Sequence, residues 1–358
     1  MTIRGNIAQL DSVRGFAAVY VFVHHARLWP NSGFGSLFYL GQEAVILFFL
    51  LSGFVIYFST NADPRNTPTV KTYLVHRLRR IYPIMLFALA LAFLGACIRA
   101  HAVVELNPVN LVANLAMIQD VSSLKRGVWV EAYYGNLPLW SLSYEWWFYM
   151  LFIPLGLVKF FPPGHEGKIA FLISVVGFLS YQIAPNPISL FAAYFIIWWT
   201  GVELAREYVV CGTVSWRRQK WTIAYLGVCS LLWASPVAIA LHQHSPLRLG
   251  VDPVLQFRHF AAAFAVLVFG LIWYAHELPF FERTLGPFRI FAPISYSLYL
   301  FHVPVLQTLS TLGLGGDPLT RCLVAAALLI PLCYLLEVRL QRRINRWANR
   351  LLTRNRPD

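Results

Sequence analysis

The chain is short of charge, and its few cysteines form no pattern. Only 13% of its 358 residues are Asp, Glu, Lys or Arg, against about 25% in ordinary soluble domains. That scarcity excludes a conventional soluble protein. The five cysteines, Cys97, Cys211, Cys229, Cys322 and Cys333, show neither CxxC nor disulfide-scaffold spacing, so they read as small apolar residues. No GxSxG elbow and no glycine-rich phosphate loop occurs, which removes two common chemistries. His242 and His244 form an HxH without partner ligands, and no metal site is expected. Arg14 interrupts the place where the apolar core of a cleavable signal peptide would lie, so none is expected. No internal repeat or low-complexity tract is evident.

Apolar residues fill the space. The chain is 58% hydrophobic and 16% aromatic, with mean hydropathy +0.58. A membrane-crossing helix needs about 20 largely apolar residues. Ten such segments are read, at residues 10–29, 37–58, 79–99, 137–160, 169–185, 188–205, 221–241, 258–275, 289–310 and 320–338. They are continuously apolar rather than alternating, which favours helices over barrel strands. The expected fold is an all-α, polytopic integral membrane protein of about ten transmembrane helices. Residues 1–338 form its membrane domain and 339–358 a basic tail. That tail is expected to lie on the membrane as an amphipathic helix, with Leu340, Ile344, Trp347 and Leu351 on one face.

With the N-terminus placed in the cytoplasm, 22 of the 29 lysines and arginines fall on the inner side. This positive-inside bias sets the expected orientation, with both termini cytoplasmic. It also accounts for most of the net charge of +13 without a nucleic-acid partner.

A few polar residues lie where bilayer segments disfavour them. An ionisable group in a span costs about 2.5–3.5 kcal/mol on insertion scales, so it usually faces a protein interior or an aqueous cavity. At about 100° per residue, Arg14 and His25 return to within roughly 20° of one helix face, while His24 points about 80° away from Arg14. In HRLRRIYP, residues 76–83, Arg77 and Arg80 are three apart and present two planar guanidinium forks. Such forks suit a phosphate or carboxylate, although a plain basic flank has the same composition. In LPLWSLSYEWWFYML, residues 137–151, Glu145 sits among tryptophans, and Ser141 four residues earlier is expected to help satisfy it. In ISYSLYLFHVPV, residues 294–305, Tyr299 and His302 share a face, and Pro304 is expected to kink the helix. Ser52 and Gly53 allow close backbone approach in the second span.

LDSVRGFAAVYVFVHH, LFFLLSGFVIYFS, HRLRRIYPIM, LWSLSYEWWFYML and ISYSLYLFHVPV occur in this order over about residues 10–305. Together they resemble the integral-membrane acyltransferase family 3. The resemblance implies transfer of an acyl group, most often acetyl, from cytoplasmic acyl-CoA to a hydroxyl of a cell-envelope or exported glycan, at the bacterial cytoplasmic (inner) membrane. Acyl-CoA is then a co-substrate, with the glycan acceptor and membrane lipids as partners. The resemblance puts the family's Arg-x10-His pattern on Arg14 and His25, its Arg-x-x-Arg pattern on Arg77 and Arg80, and its carboxylate on Glu145. His25 and Glu145 become the catalytic candidates, and Arg14, Arg77 and Arg80 the donor-binding ones. Tyr299 and His302 are the substrate-binding candidates. Where many relatives carry a polar group before the Phe-Phe pair, this chain has Ala44-Val45-Ile46, with Glu43 just upstream. The rival reading is a transporter or flippase whose pathway the same charges line.

Overall fold

Long apolar runs need their backbone hydrogen bonds satisfied within the segment, and a helix does this. A computed structural model describes residues 3–28, 39–63 and 67–346. Its helices are α1 (Ile3–Ala26), α2 (Gly41–Asn61), α3 (Val70–Ala100), α4 (Pro108–Leu115), α5 (Leu139–Phe152), α6 (Glu166–Ile183), α7 (Pro187–Cys211), α8 (Lys220–His242), α9 (Val254–Ala275), α10 (Phe281–Thr284), α11 (Ser295–Thr311) and α12 (Pro318–Cys333). A 3-10 segment, Gly286–Ile294, leads into α11, and a π turn, Tyr334–Leu340, carries α12 onward to residue 346. Among the described residues the only strands are β1 (Gln119–Asp120) and β2 (Val130–Glu131), paired in parallel.

The chain is an integral membrane protein. Among the described residues, eight helical segments are long and apolar enough to cross a membrane. The two expected spans that fall short are the first and the fourth. Helix α1 spends Asp11, Ser12, Arg14, His24 and His25 within its length. Helix α5 is only 14 residues long before the π turn Ile153–Leu157. Both carry candidate site residues, so polarity and apolar length compete in the same helices.

Helix α7 is the centre of the bundle. Of its most apolar stretch 78% is buried, against 22% for the peripheral α8. Trp198 and Trp199 on α7 are fully buried. Helices α2 and α7 meet backbone to backbone, as Ser52-Gly53 led us to expect. A Cβ on Gly53 would stand 2.0 Å from the Trp198 carbonyl oxygen, and one on Gly201 the same distance from that of Leu50. Small residues allow this close approach where lipid supplies no hydrophobic drive.

Two prolines inside helices are compensated from elsewhere. Proline has no N–H to bond the carbonyl four residues back. Pro83 frees the Arg79 carbonyl, which accepts from Gln341 Nε2 at 2.5 Å. Pro304 frees the Leu300 carbonyl, which accepts from Asn136 Nδ2 at 3.0 Å. Helix α11 continues through Pro304, and its freed carbonyl becomes a tether to the α3–α5 connection.

That connection also fixes the rotation of α5. Lys125 Nζ lies 2.8 Å from Asp120 Oδ1 and 3.7 Å from the Trp140 ring centroid. The Tyr144 hydroxyl donates to Asp120 Oδ2 at 2.7 Å. Arg126 pairs with Asp252, beyond α8, and pins the connection to the bundle. With Tyr144 held on that side, the next residue, Glu145, turns toward α2. Beyond α12, Arg339, Arg342, Arg343 and Arg346 are exposed, while Leu340 and Ile344 are half-buried. Trp347 and Leu351 lie outside the described residues.

Candidate active site

Arg14 of α1, Arg77 and Arg80 of α3, Glu145 of α5 and Tyr299 of α11 line one cavity of about 170 Å³. Ser52, Ser141, Tyr149 and Tyr296 complete its polar wall. The expectation that Arg77 and Arg80 share a face is met, since both reach this space one turn apart. Their surroundings differ. Arg80 Nη2 lies 2.8 Å from Glu337 Oε1, and its guanidinium stands over the Tyr296 ring at 5.3 Å. Glu337 also accepts from the Ser297 N–H at 2.8 Å and hydroxyl at 2.7 Å. Arg77 instead lies 5.4 Å from the Tyr73 ring and 5.7 Å from the Tyr149 ring. Among the described residues no carboxylate pairs with it, and its buried Nε has no hydrogen-bond partner. Cation–π contacts of this kind are worth about 0.5–2 kcal/mol each and leave the N–H groups for a ligand. Arg14 is 3.2 Å from Asp11 of its own helix.

Glu145 is satisfied differently from the expectation. Ser52 Oγ donates to Glu145 Oε1 at 2.6 Å, and the Tyr149 hydroxyl donates to the same oxygen. Ser52 in turn accepts from Trp198 Nε1 at 3.2 Å. Ser141, expected to serve Glu145, bonds the Tyr299 hydroxyl at 2.8 Å instead. Of the residues the sequence did not single out, Tyr149 follows Glu145 by four and so shares its face. Glu337 is an acid inside the apolar run 320–338. Nothing in the sequence marks Ser52 as a carboxylate partner, because its position opposite α5 is a tertiary fact.

Past the cavity lies a pair of histidines. The Tyr299 ring is 6.0 Å from the His302 ring, whose centroid is 4.8 Å from that of His25. His302 Nε2 is 3.2 Å from His25 Nδ1, and His25 Nδ1 is 2.9 Å from the Val21 carbonyl oxygen. His302 Nδ1 faces the Leu298 carbonyl oxygen at 3.1 Å. His302 is fully buried and does not line the cavity, whereas Tyr299 does. Helix α1 is continuous through Arg14 and His25, so eleven residues separate them by about 16 Å of rise. They sit at two depths. His24 packs beside Gly41 and stands 6.0 Å from the Tyr39 ring, on another side of α1. Glu43 pairs with Arg258 of α9 and is not among the residues lining the cavity.

Set end to end, these contacts order the polar groups along the bundle. Three guanidiniums come first, then a hydroxyl-supported carboxylate, then Tyr299 and the histidines. Over 155 residues the chain is 32% identical to Acyltransferase MdmB of Streptomyces mycarofaciens, covering 41% of this chain and 38% of that protein. The aligned part thus spans well under half of this curated relative. No solved structure matches. A family model described as "Acyltransferase domain" matches residues 7–338, a span that covers nearly the whole helical bundle. The chain belongs to this acyltransferase family.

Proposed function

We propose that the protein transfers an acyl group, acetyl in the expected case, from cytoplasmic acyl-CoA to a hydroxyl of an envelope or exported glycan. The observation that carries this reading is the gathering of Arg14, Arg77 and Arg80 into one cavity with Glu145. At about 170 Å³ the cavity is smaller than the roughly 300–1,000 Å³ of a site for a whole drug-sized ligand, so it matches one part of the donor. Arg77 and Arg80 take the donor's phosphates, each guanidinium offering paired N–H groups. Arg14 of α1 assists from the same cavity. The protein sits in the bacterial cytoplasmic membrane with both termini inside, which puts the Arg77 end of the bundle toward the donor pool.

His25 serves as general base. A neutral imidazole carries one ring-nitrogen lone pair that can take a proton from a hydroxyl. It takes the proton of the acceptor hydroxyl as that oxygen attacks the thioester carbonyl. The carbon–sulfur bond then breaks, and the imidazolium returns the proton to the departing thiolate. The products are one ester and one free thiol. Glu145 supplies a fixed negative charge among the cavity's cations, and Tyr299 contacts the incoming acceptor. Family membership favours this reading over transport.

Purified protein in nanodiscs, given labelled acetyl-CoA and envelope glycan, is the test. Label is expected in the glycan and free thiol in equal amount, both lost in His25→Ala. Movement of intact glycan across the membrane with no ester formed would overturn the proposal.

A further inference from the structure

We propose that His302 is a positioning residue, a second acceptor for the His25 Nδ1–H that holds the ring with its Nε2 free to take the acceptor's proton. This inference rests on His25 being the base.

The argument follows the hydrogen-bond partners. A carbonyl oxygen only accepts, so the nitrogen facing it carries the proton. His302 Nδ1 faces the Leu298 carbonyl and therefore holds a proton, which leaves its Nε2 as a bare acceptor. His25 Nδ1 faces both that Nε2 and the Val21 carbonyl. Both neighbours accept, so His25 Nδ1 is the donor and its proton is shared between them. The tautomer is thereby fixed, and the lone pair of His25 rests on Nε2. Among the described residues that nitrogen has no hydrogen-bond partner.

The Val21 contact alone lies within one helix and does not fix the ring against its neighbours. His302 adds a second acceptor from α11, across the interface. When His25 takes a proton on Nε2, the His302 lone pair still accepts from Nδ1. No carboxylate bonds either ring among the described residues. The orienting partner is therefore neutral, and its contribution is geometry rather than charge. This departs from the sequence expectation that His302 contacts substrate. It agrees with the complete burial of His302 beside a His25 that is only half-buried.

The test compares His302→Gln and His302→Phe in the nanodisc assay. Glutamine offers an oxygen that accepts the His25 proton, while phenylalanine fills the space without accepting. Phenylalanine is expected to lower kcat about 10–100-fold, the usual effect of losing an orienting partner, with both KM values near wild type. Glutamine is expected to recover most of that loss. Wild-type kcat in His302→Phe would overturn the inference, as would a raised acceptor KM with kcat intact. Survival of activity in His25→Ala would instead overturn the base assignment, so the two failures are distinguishable. A measurement on the unaltered protein covers variants that do not fold. Nitrogen NMR of ring-labelled histidines, with His25 assigned by its loss in His25→Ala, is expected to show the proton on Nδ1. A proton on Nε2 of His25 would overturn the inference.

Discussion

The arginine cavity and the histidine pair solve the same problem, polar groups inside a bilayer protein, in opposite ways. In the cavity, local pairs such as Arg14 with Asp11 are joined by partners from distant parts of the chain. Arg80 meets Glu337, Arg77 lies over Tyr149, and Glu145 accepts from Ser52. In the histidine pair, each ring bonds a carbonyl four residues back in its own helix, and one long-range contact joins the two. Full charges needed counter-groups assembled by the whole fold, since an unpaired ion in low dielectric is costly. Neutral rings needed only spare carbonyl lone pairs, which every helix has. On the proposed reading, the region that binds a polyanion keeps charge and the region that moves a proton keeps neutrality.

The largest expected effect separates chemistry from binding. His25→Ala should lower kcat by about 10²–10⁴, the range for loss of a general base, with donor affinity retained. Measured by ester formation and by donor binding, comparable losses in both would erase the distinction between the two regions. Next, Arg77→Ala should raise the donor KM about tenfold or more, as one charge-assisted hydrogen bond of about 1.5–3 kcal/mol is lost. Its thermal midpoint should stay close to wild type, because no carboxylate depends on Arg77 among the described residues.

Arg80→Ala should weaken the donor and the fold together. It leaves the buried Glu337 without its cation, at a cost of about 1–3 kcal/mol. Thermal unfolding in detergent reads this, and a midpoint equal to that of Arg77→Ala would mean that the two arginines are equivalent. The smallest effect is expected at His24→Ala, with kcat within about twofold of wild type, as for a substitution away from special features. A large loss there would move the proton-transfer site to the wrong histidine.

Much of the site was legible because its signals are local. A helix period placed Arg14 and His25 on one face and joined Arg77 to Arg80, and one continuous helix carries each pair. The apolar runs marked helices at every expected position, although among the described residues only eight are apolar and long enough to cross unaided. Other signals misled because a side chain's partner is chosen by the neighbouring helix. Ser141 lies four residues from Glu145, yet Tyr299 is nearer to hand. Pro304 lies inside a helix that continues through it, and the partner that takes its freed carbonyl is Asn136 from another part of the chain.

By itself the sequence determined a helical membrane protein and the identity of its polar residues. Low charge and long apolar runs permit little else, and helix periodicity is a property of the backbone. Tertiary structure alone decided which of those residues meet. It set Ser52 against Glu145, Glu337 against Arg80, and His302 behind His25 rather than in the cavity. The physical reason is range. A helical face is fixed by residues three and four apart, whereas a counter-charge or a cross-helix partner is fixed by whichever helix packs alongside.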